Sequence, residues 1–219
     1  MAEEQARKPK AAAETVLTVR NVECSRGDRV LFAPISFVVA AGTIAWLRGA
    51  NGQGKTTLLR TIAGLSAPAA GEIVWAGAPA LVTHPLYLAH ANALKEDLTV
   101  AESLRFLLHL GGSHVDGGDV DSALDRFGMA SRKDAFVRTL SQGQRRRVAL
   151  ARLAAQRELR PWLLDEPFDA LDVAGVELLA DVVAQHARRG GCVLLTSHLP
   201  LPIDDPAPAI VELHEPALA

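Results

Sequence analysis

Residues 49 to 56 read GANGQGKT, a glycine-rich loop that ends in a lysine and a threonine. The G-x4-GK[ST] spacing is that of a phosphate cradle. Its glycines let backbone N–H groups wrap an anion, a helix that starts there points its positive end at it, and Lys55 adds a mobile charge. Thr56 supplies a hydroxyl suited to Mg2+. The candidate nucleotide-binding residues are therefore Gly49, Ala50, Asn51, Gly52, Gln53, Gly54, Lys55, Thr56 and Thr57.

A phosphate loop of this kind needs carboxylates, and WLLDEP at 162 to 167 offers two. Asp165 ends an apolar run that reads as a strand, so its side chain emerges at the edge of a sheet where α/β proteins bind ligands. Its expected role is to hold Mg2+ through water. Glu166 follows directly and is placed to face an attacking water as general base. Loop and carboxylates together point to a hydrolytic nucleoside triphosphatase. LSQGQRRR at 140 to 147 starts a helix, with Ser141 and Gly143 at its amino end as a second set of anion-binding donors. One γ-phosphate does not need two such sites. The competing reading is an ordinary capped helix whose three arginines lie in solvent.

These groups have to be held by a scaffold, and the hydrophobic pattern supplies one. VLTVRNVEC alternates like a strand, VLFAPISFVVA follows a turn at Arg26-Gly27-Asp28, and TIAWLRGA runs into the loop. KTTLLRTIAGL has helical spacing of Leu58, Leu59, Ile62 and Leu65, ended by Gly64 and Pro68. GEIVWAG and ALVTHPLYLAH read as strands. From about Leu94 to Leu153 the signals are helical: VAESLRFLLHL, VDSALDRFGM and QGQRRRVALARLAAQ, with GGSHVDGGD expected as a loop. Uniformly apolar strands return in RPWLLDEP and GCVLLTSH around the helix VAGVELLADVVAQHARRG, which implies parallel pairing with both faces covered. A last strand is expected at Ala209 to Leu213.

The chain has 219 residues, 49% of them hydrophobic and 22% charged, and a net charge of -2. Such a balance fits one large globular domain and gives no general affinity for nucleic acid. Cys24 and Cys192 stand alone in apolar surroundings and read as packed thiols. The most apolar stretch, 35 to 47, is shorter than the ~20 residues a membrane-spanning helix needs. Residues 1 to 14 mix acids with bases and lack an apolar segment, so they read as a flexible tail.

Taken together, residues Thr15 to Leu213 resemble the ATP-binding cassette family. GANGQGKT is similar to its Walker A loop, LSQGQ to its signature, LLDEP to its Walker B segment, ALD at Ala170 to Asp172 to its D-loop, and Ser197-His198 to its switch histidine, all in the family's order. The resemblance implies an α/β P-loop NTPase core with a mixed, largely parallel sheet, an N-terminal antiparallel β subdomain and an inserted helical subdomain. The core would span 15 to 91 and 155 to 213, and the helical subdomain about 92 to 154, within a single domain of 15 to 219. It also implies ATP and Mg2+, with Lys55, Glu166 and His198 as the catalytic set and His198 on the γ-phosphate. Two copies would associate head to tail, so that Ser141 and Gly143 serve the partner's nucleotide and Asp172 couples the two sites.

The sequence departs from the family in three places. Gln142 replaces the usual glycine of the signature and leaves Ser141 and Gly143 in place. Arg26 stands near the position of the family's adenine-stacking aromatic ring; a guanidinium plane can stack on a purine, while a solvent-exposed turn arginine is the competing reading. His90 stands where the family has a glutamine that senses magnesium, so it joins Thr56 and Asp165 as a candidate metal residue. YLAHANALKEDLTVAESLRF, with CSRGDRVLF, GEIVW, LSQGQRRRVALARL, DEPFDALD and LLTSHLPL, resembles the ATP-binding subunits of cytochrome c maturation systems, the haem exporter cassettes. That resemblance implies a peripheral subunit on the cytoplasmic face of the inner membrane, paired with hydrophobic transmembrane subunits. Its hydrolysis would export haem or release a haem-loaded chaperone; the ATPase of another exporter is the alternative. With no CxxCH, the chain is not expected to bind haem itself.

Overall fold

Alternating apolar residues from Thr15 build β1 (Thr15–Glu23), whose Val16, Leu17, Val19 and Val22 are buried. The turn Arg26-Gly27-Asp28 lies inside the short hairpin of β2 (Ser25–Arg26) and β3 (Arg29–Val30), and β4 (Ile35–Ala40) then returns against β1. β5 (Ile44–Arg48) leads into the glycine loop and α1 (Lys55–Ile62). β6 (Ala70–Trp75) joins the other edge of β1. The computed structural model describes residues 14–76, 85–113 and 115–216. The tail expected at 1 to 14 therefore lies outside the described residues except for Glu14, as does the first half of ALVTHPLYLAH; its second half forms β7 (Leu86–Leu88).

Three α-helices follow: α2 (Val100–Leu110), α3 (Gly117–Arg126) and α4 (Gln142–Ala154). The chain then lays down β8 (Trp162–Leu164), α5 (Val173–Arg188), β9 (Val193–Thr196) and β10 (Ala209–Glu212). Apart from the separate β2–β3 hairpin, the expected parallel and antiparallel strands are divided between two sheets. One is antiparallel in the order β4-β1-β6; the other has five parallel strands in the order β10-β5-β9-β8-β7.

Two expectations need correction. Leu65 lies beyond the end of α1 and is 58% exposed, because Gly64 takes a positive φ of 76° and turns the chain away. Gly117, Gly118 and Asp119, expected in a loop, form the first turn of α3. Asp116 caps them: its carboxylate accepts from the Asp119 N–H, and Asp119 accepts in return from the Asp116 N–H. This reciprocal cap offsets the ~1 kcal/mol by which each glycine disfavours a helix.

Successive residues of the central strands enter opposite cores. Leu163 and Leu194 pack with β1, β4 and α1, whereas Leu164 and Leu195 pack with α4, α5 and the helical lobe around Leu104, Leu124 and Phe127. Both faces are thus covered, which is why β8 and β9 read as unbroken apolar runs. Each fully buried leucine contributes ~1.5–3 kcal/mol over its exposed state. The parallel sheet also sets four consecutive carboxyl ends side by side: the glycine loop after β5, Thr196 on β9, Asp165 after β8, and Ala89-His90 after β7.

Candidate functional site

α2, α3, α4 and α5 each have an N-terminal side-chain cap, from Thr99, Asp116, Ser141 and Asp172. α1 has none; Gly54 precedes it at φ 104°. Its leading N–H groups are left for an external anion. A side chain at position 54 would also meet Leu31 and Phe32 at about 3.0 Å, so glycine is required there both for its φ and for space. Gln53 braces the loop from within: its Oε1 accepts from the Ala50 N–H at 2.6 Å, and its Nε2 donates to the Leu213 carbonyl at 3.2 Å. Lys55 is 8% exposed and donates to the carbonyls of Gly49 at 2.8 Å and Ala50 at 3.2 Å.

Asp165 is 1% exposed, and its carboxylate accepts from the Thr56 hydroxyl at 2.8 and 3.1 Å and from the Thr196 hydroxyl at 3.1 Å. Glu166 takes a left-handed backbone conformation at φ 46°. Its N–H donates to Thr196 Oγ1 at 2.8 Å, and its carboxylate faces His198. Burial pushes the Glu166 carboxyl above its ordinary range; His198 pulls it back, Asp169 adds to the rise, and the His198 N–H and Lys55 oppose it. A carboxylate made more basic in this way is suited to accept a proton.

One cavity of about 300 Å3 gathers Asn51, Gly52, Gly54, Lys55, Thr56, Thr57, Asp165, Glu166 and His198 with Arg26 and His90. Six of the nine expected loop residues, both carboxylates and both histidines therefore line one cavity, whereas Gly49, Ala50 and Gln53 are not among its lining residues. Arg26, on the β2–β3 hairpin, lines the same cavity together with Leu31. His90 is exposed, and its Nδ1 lies 3.6 Å from Asp169 Oδ2. Ser141 and Gly143 stand apart from the cavity at the start of α4, where the Ser141 hydroxyl accepts from the Gln144 N–H at 3.2 Å. Asp172 is exposed and caps α5 by accepting from the Gly175 N–H at 2.9 Å.

Residues 32–169 match the family described as ABC transporter. The "Cytochrome c biogenesis ATP-binding export protein CcmA" of Albidiferax ferrireducens is 48% identical over 188 residues, 83% of this chain and 89% of that protein. The protein of the same name from Dechloromonas aromatica is 45% identical over 90% of this chain and 98% of its own. The chain belongs to the ABC transporter family, among its cytochrome c biogenesis ATP-binding export proteins. A solved structure described as the ATP-binding subunit of an ABC transporter matches this ABC fold with a TM-score of 0.78. It covers 91% of this chain and 86% of its own, at 25% identity. As an ABC ATPase the chain binds ATP.

Three residues of this ABC site were not picked out in the sequence. Thr196 orients both Asp165 and the Glu166 peptide, and nothing in LLTSH marks it beyond a hydroxyl at a strand end. Asp169 lines the cavity on the turn after Glu166. Arg146, expected in solvent as one reading of RRR, is 2% exposed, and a signal for it did exist. It lies three, four and seven positions before Ala149, Leu150 and Leu153, all buried, and so shares the core face of α4. Of its neighbours, Arg145 pairs with Glu96 at 2.9 Å and Arg147 with Asp172.

Proposed function

We propose that this chain is the ATP-hydrolysing subunit of a membrane export complex for cytochrome c biogenesis. The observation that carries the chemistry is the position of Glu166, held by His198 in the same cavity as Lys55 and the Thr56–Asp165 pair. Lys55 and the leading N–H groups of α1 bind the phosphates. Glu166 accepts a proton from the attacking water, and His198 meets the terminal phosphate.

Thr56 and Asp165 fit Mg2+, which prefers hard oxygen ligands, one or two carboxylates, and completion of its shell by substrate phosphates and water. Among the described residues no cluster of three His, Cys, Asp or Glu forms a denser cage. His90 faces the same space and stands as an outer member of this set. When bound, the cation neutralises charge on the phosphate oxygens.

Ser141 and Gly143, uninvolved in the chain's own cavity, serve the nucleotide of a second copy joined head to tail, and Asp172 lies at that junction. Arg26 stacks on the adenine. No helix among the described residues is long and apolar enough to cross a membrane. The chain attaches to the inner membrane through separate transmembrane subunits. The cargo exported or released is haem or a haem-loaded chaperone, on the resemblance carried by YLAHANALKEDL and its companion segments. Purification from membranes tests this reading: two copies of the chain are expected with hydrophobic membrane subunits and Mg2+-dependent ATPase activity. A partner-free monomer without hydrolysis would sink it.

A further inference from the structure

We propose that Arg146 is a positioning residue for hydrolysis: one buried guanidinium that ties the Glu166 turn to the His90 loop and joins both to the signature helix. The inference rests on the functional reading above and extends it to a residue outside the cavity.

The observation is the direction of its hydrogen bonds. Nη1 donates toward the carbonyls of Ala89 and His90, both at 3.3 Å, and toward Asn92 Oδ1 at 3.2 Å. Nη2 donates to the carbonyls of Glu166 at 2.5 Å and Asp165 at 3.4 Å, and Nε to Pro167 at 3.3 Å. These backbone acceptors lie just past the carboxyl ends of β7 and β8, where the sheet ladder no longer supplies donors. Arg146 makes no ion pair among the described residues. Its charge is spent on main-chain oxygens of two adjacent loops, an unusual use of a group that is costly to bury.

The consequence concerns Glu166. Its left-handed peptide is held on one side by Thr196, which accepts from its N–H, and on the other by Arg146, which donates to its carbonyl. The carboxylate direction follows from that peptide. Because Arg146 sits on the second turn of α4, a shift of the helix that Ser141 caps moves the Glu166 and His90 segments with it. A planar fork is needed for this, since a single ammonium cannot reach oxygens spread over two loops.

The test uses the full chain carrying Arg146→Gln and, as a variant that keeps the charge but loses the planar fork, Arg146→Lys. Both are expected to bind ATP within about twofold of the parent while kcat falls on the order of 100-fold, the scale of a displaced reacting group. Hydrogen exchange should accelerate at least about tenfold at the amides of 89–92 and 165–166, with the sheet cores unchanged. Parent-like kcat in Arg146→Gln, or full rescue by Arg146→Lys, would overturn the proposal, as would exchange that rises across the whole domain or leaves the Glu166 turn untouched. If the parent itself hydrolyses no ATP, the functional reading fails, and the exchange arm still decides whether Arg146 ties the two loops.

Discussion

His198 meets Glu166 twice: its main-chain N–H donates to Oε2 at 3.0 Å, and its Nε2 lies 3.3 Å from Oε1. Both carboxylate oxygens are thereby oriented by one residue on the loop after β9. The peptide that carries them is in a conformation costing of order 1–3 kcal/mol for a non-glycine residue, so the surrounding bonds, not local preference, set its direction. In its proposed role as base, Glu166 is 8% exposed, fixed at both oxygens and raised by burial, so it would be organised before substrate arrives.

Replacing Glu166 by glutamine tests that role with little change of shape. The amide can still accept the His198 N–H bond but cannot take a proton from water. Turnover should fall by about 100- to 10,000-fold, the range for loss of a general base. The ATP dissociation constant should stay within about twofold, and an ATP-bound dimer should accumulate on size exclusion. Steady-state hydrolysis near the parent's rate would remove Glu166 as base.

Lys55 presents the opposite signature. Its ammonium donates to the two loop carbonyls of Gly49 and Ala50 and so is held over the α1 terminus, where phosphates would replace or join those carbonyls. A charge-assisted bond of this kind is worth ~1.5–3 kcal/mol. Lys55→Ala should therefore weaken ATP binding by roughly 10- to 100-fold, measured by titration calorimetry. An unchanged affinity would count against the loop as the phosphate cradle.

His186 gives a pH dependence of stability that is independent of the nucleotide. It stacks on Trp162 with ring centroids 3.7 Å apart and bonds the Arg160 carbonyl through Nε2 at 2.9 Å. Burial, the largest influence, pushes its pKa down to about 4 from 6.5. The folded state thus binds this proton less readily than the unfolded one. Stability from the neutral ring is fully present above 6.5 and is lost as pH falls from 6.5 toward about 4, to a limit of ~3 kcal/mol. His186→Phe keeps the stack and removes the proton, so its melting temperature should fall less steeply than the parent's across that window. Parallel curves would show that His186 is not the group responsible.

The parallel core and the glycine loop between β5 and α1 were legible with little ambiguity, because strands buried on both faces are uniformly apolar and the turn into α1 needs the positive φ that Gly52 and Gly54 adopt. The first turn of α3 was hidden, since two glycines oppose a helix and only the reciprocal Asp116–Asp119 cap reverses them. Arg146 was hidden for another reason. Its charge argued for solvent, whereas its place on the apolar face of α4 put it against two loops that meet only through tertiary structure. The nearness of Asp169 to His90 across the sheet edge could not be read from sequence spacing at all.

That last pair frames the final prediction. His90 lines the nucleotide cavity and also a neighbouring recess bordered by Asn92, Leu94, Val137, Gln142 and Arg145. Its side chain is 69% exposed and its contact with Asp169 is 3.6 Å, so the pair contributes no more than ~1 kcal/mol to folding. His90→Ala should accordingly leave thermal stability nearly unchanged. Because His90 lines the cavity that holds Thr56 and Asp165, the isolated His90→Ala chain should lose about tenfold in kcat, on the scale of one ~1.4 kcal/mol interaction. Membrane-subunit association should meanwhile be retained in pull-down from membranes. The reverse pattern, parent-like ATPase activity with lost association, would assign His90 to the recess and not to the cation.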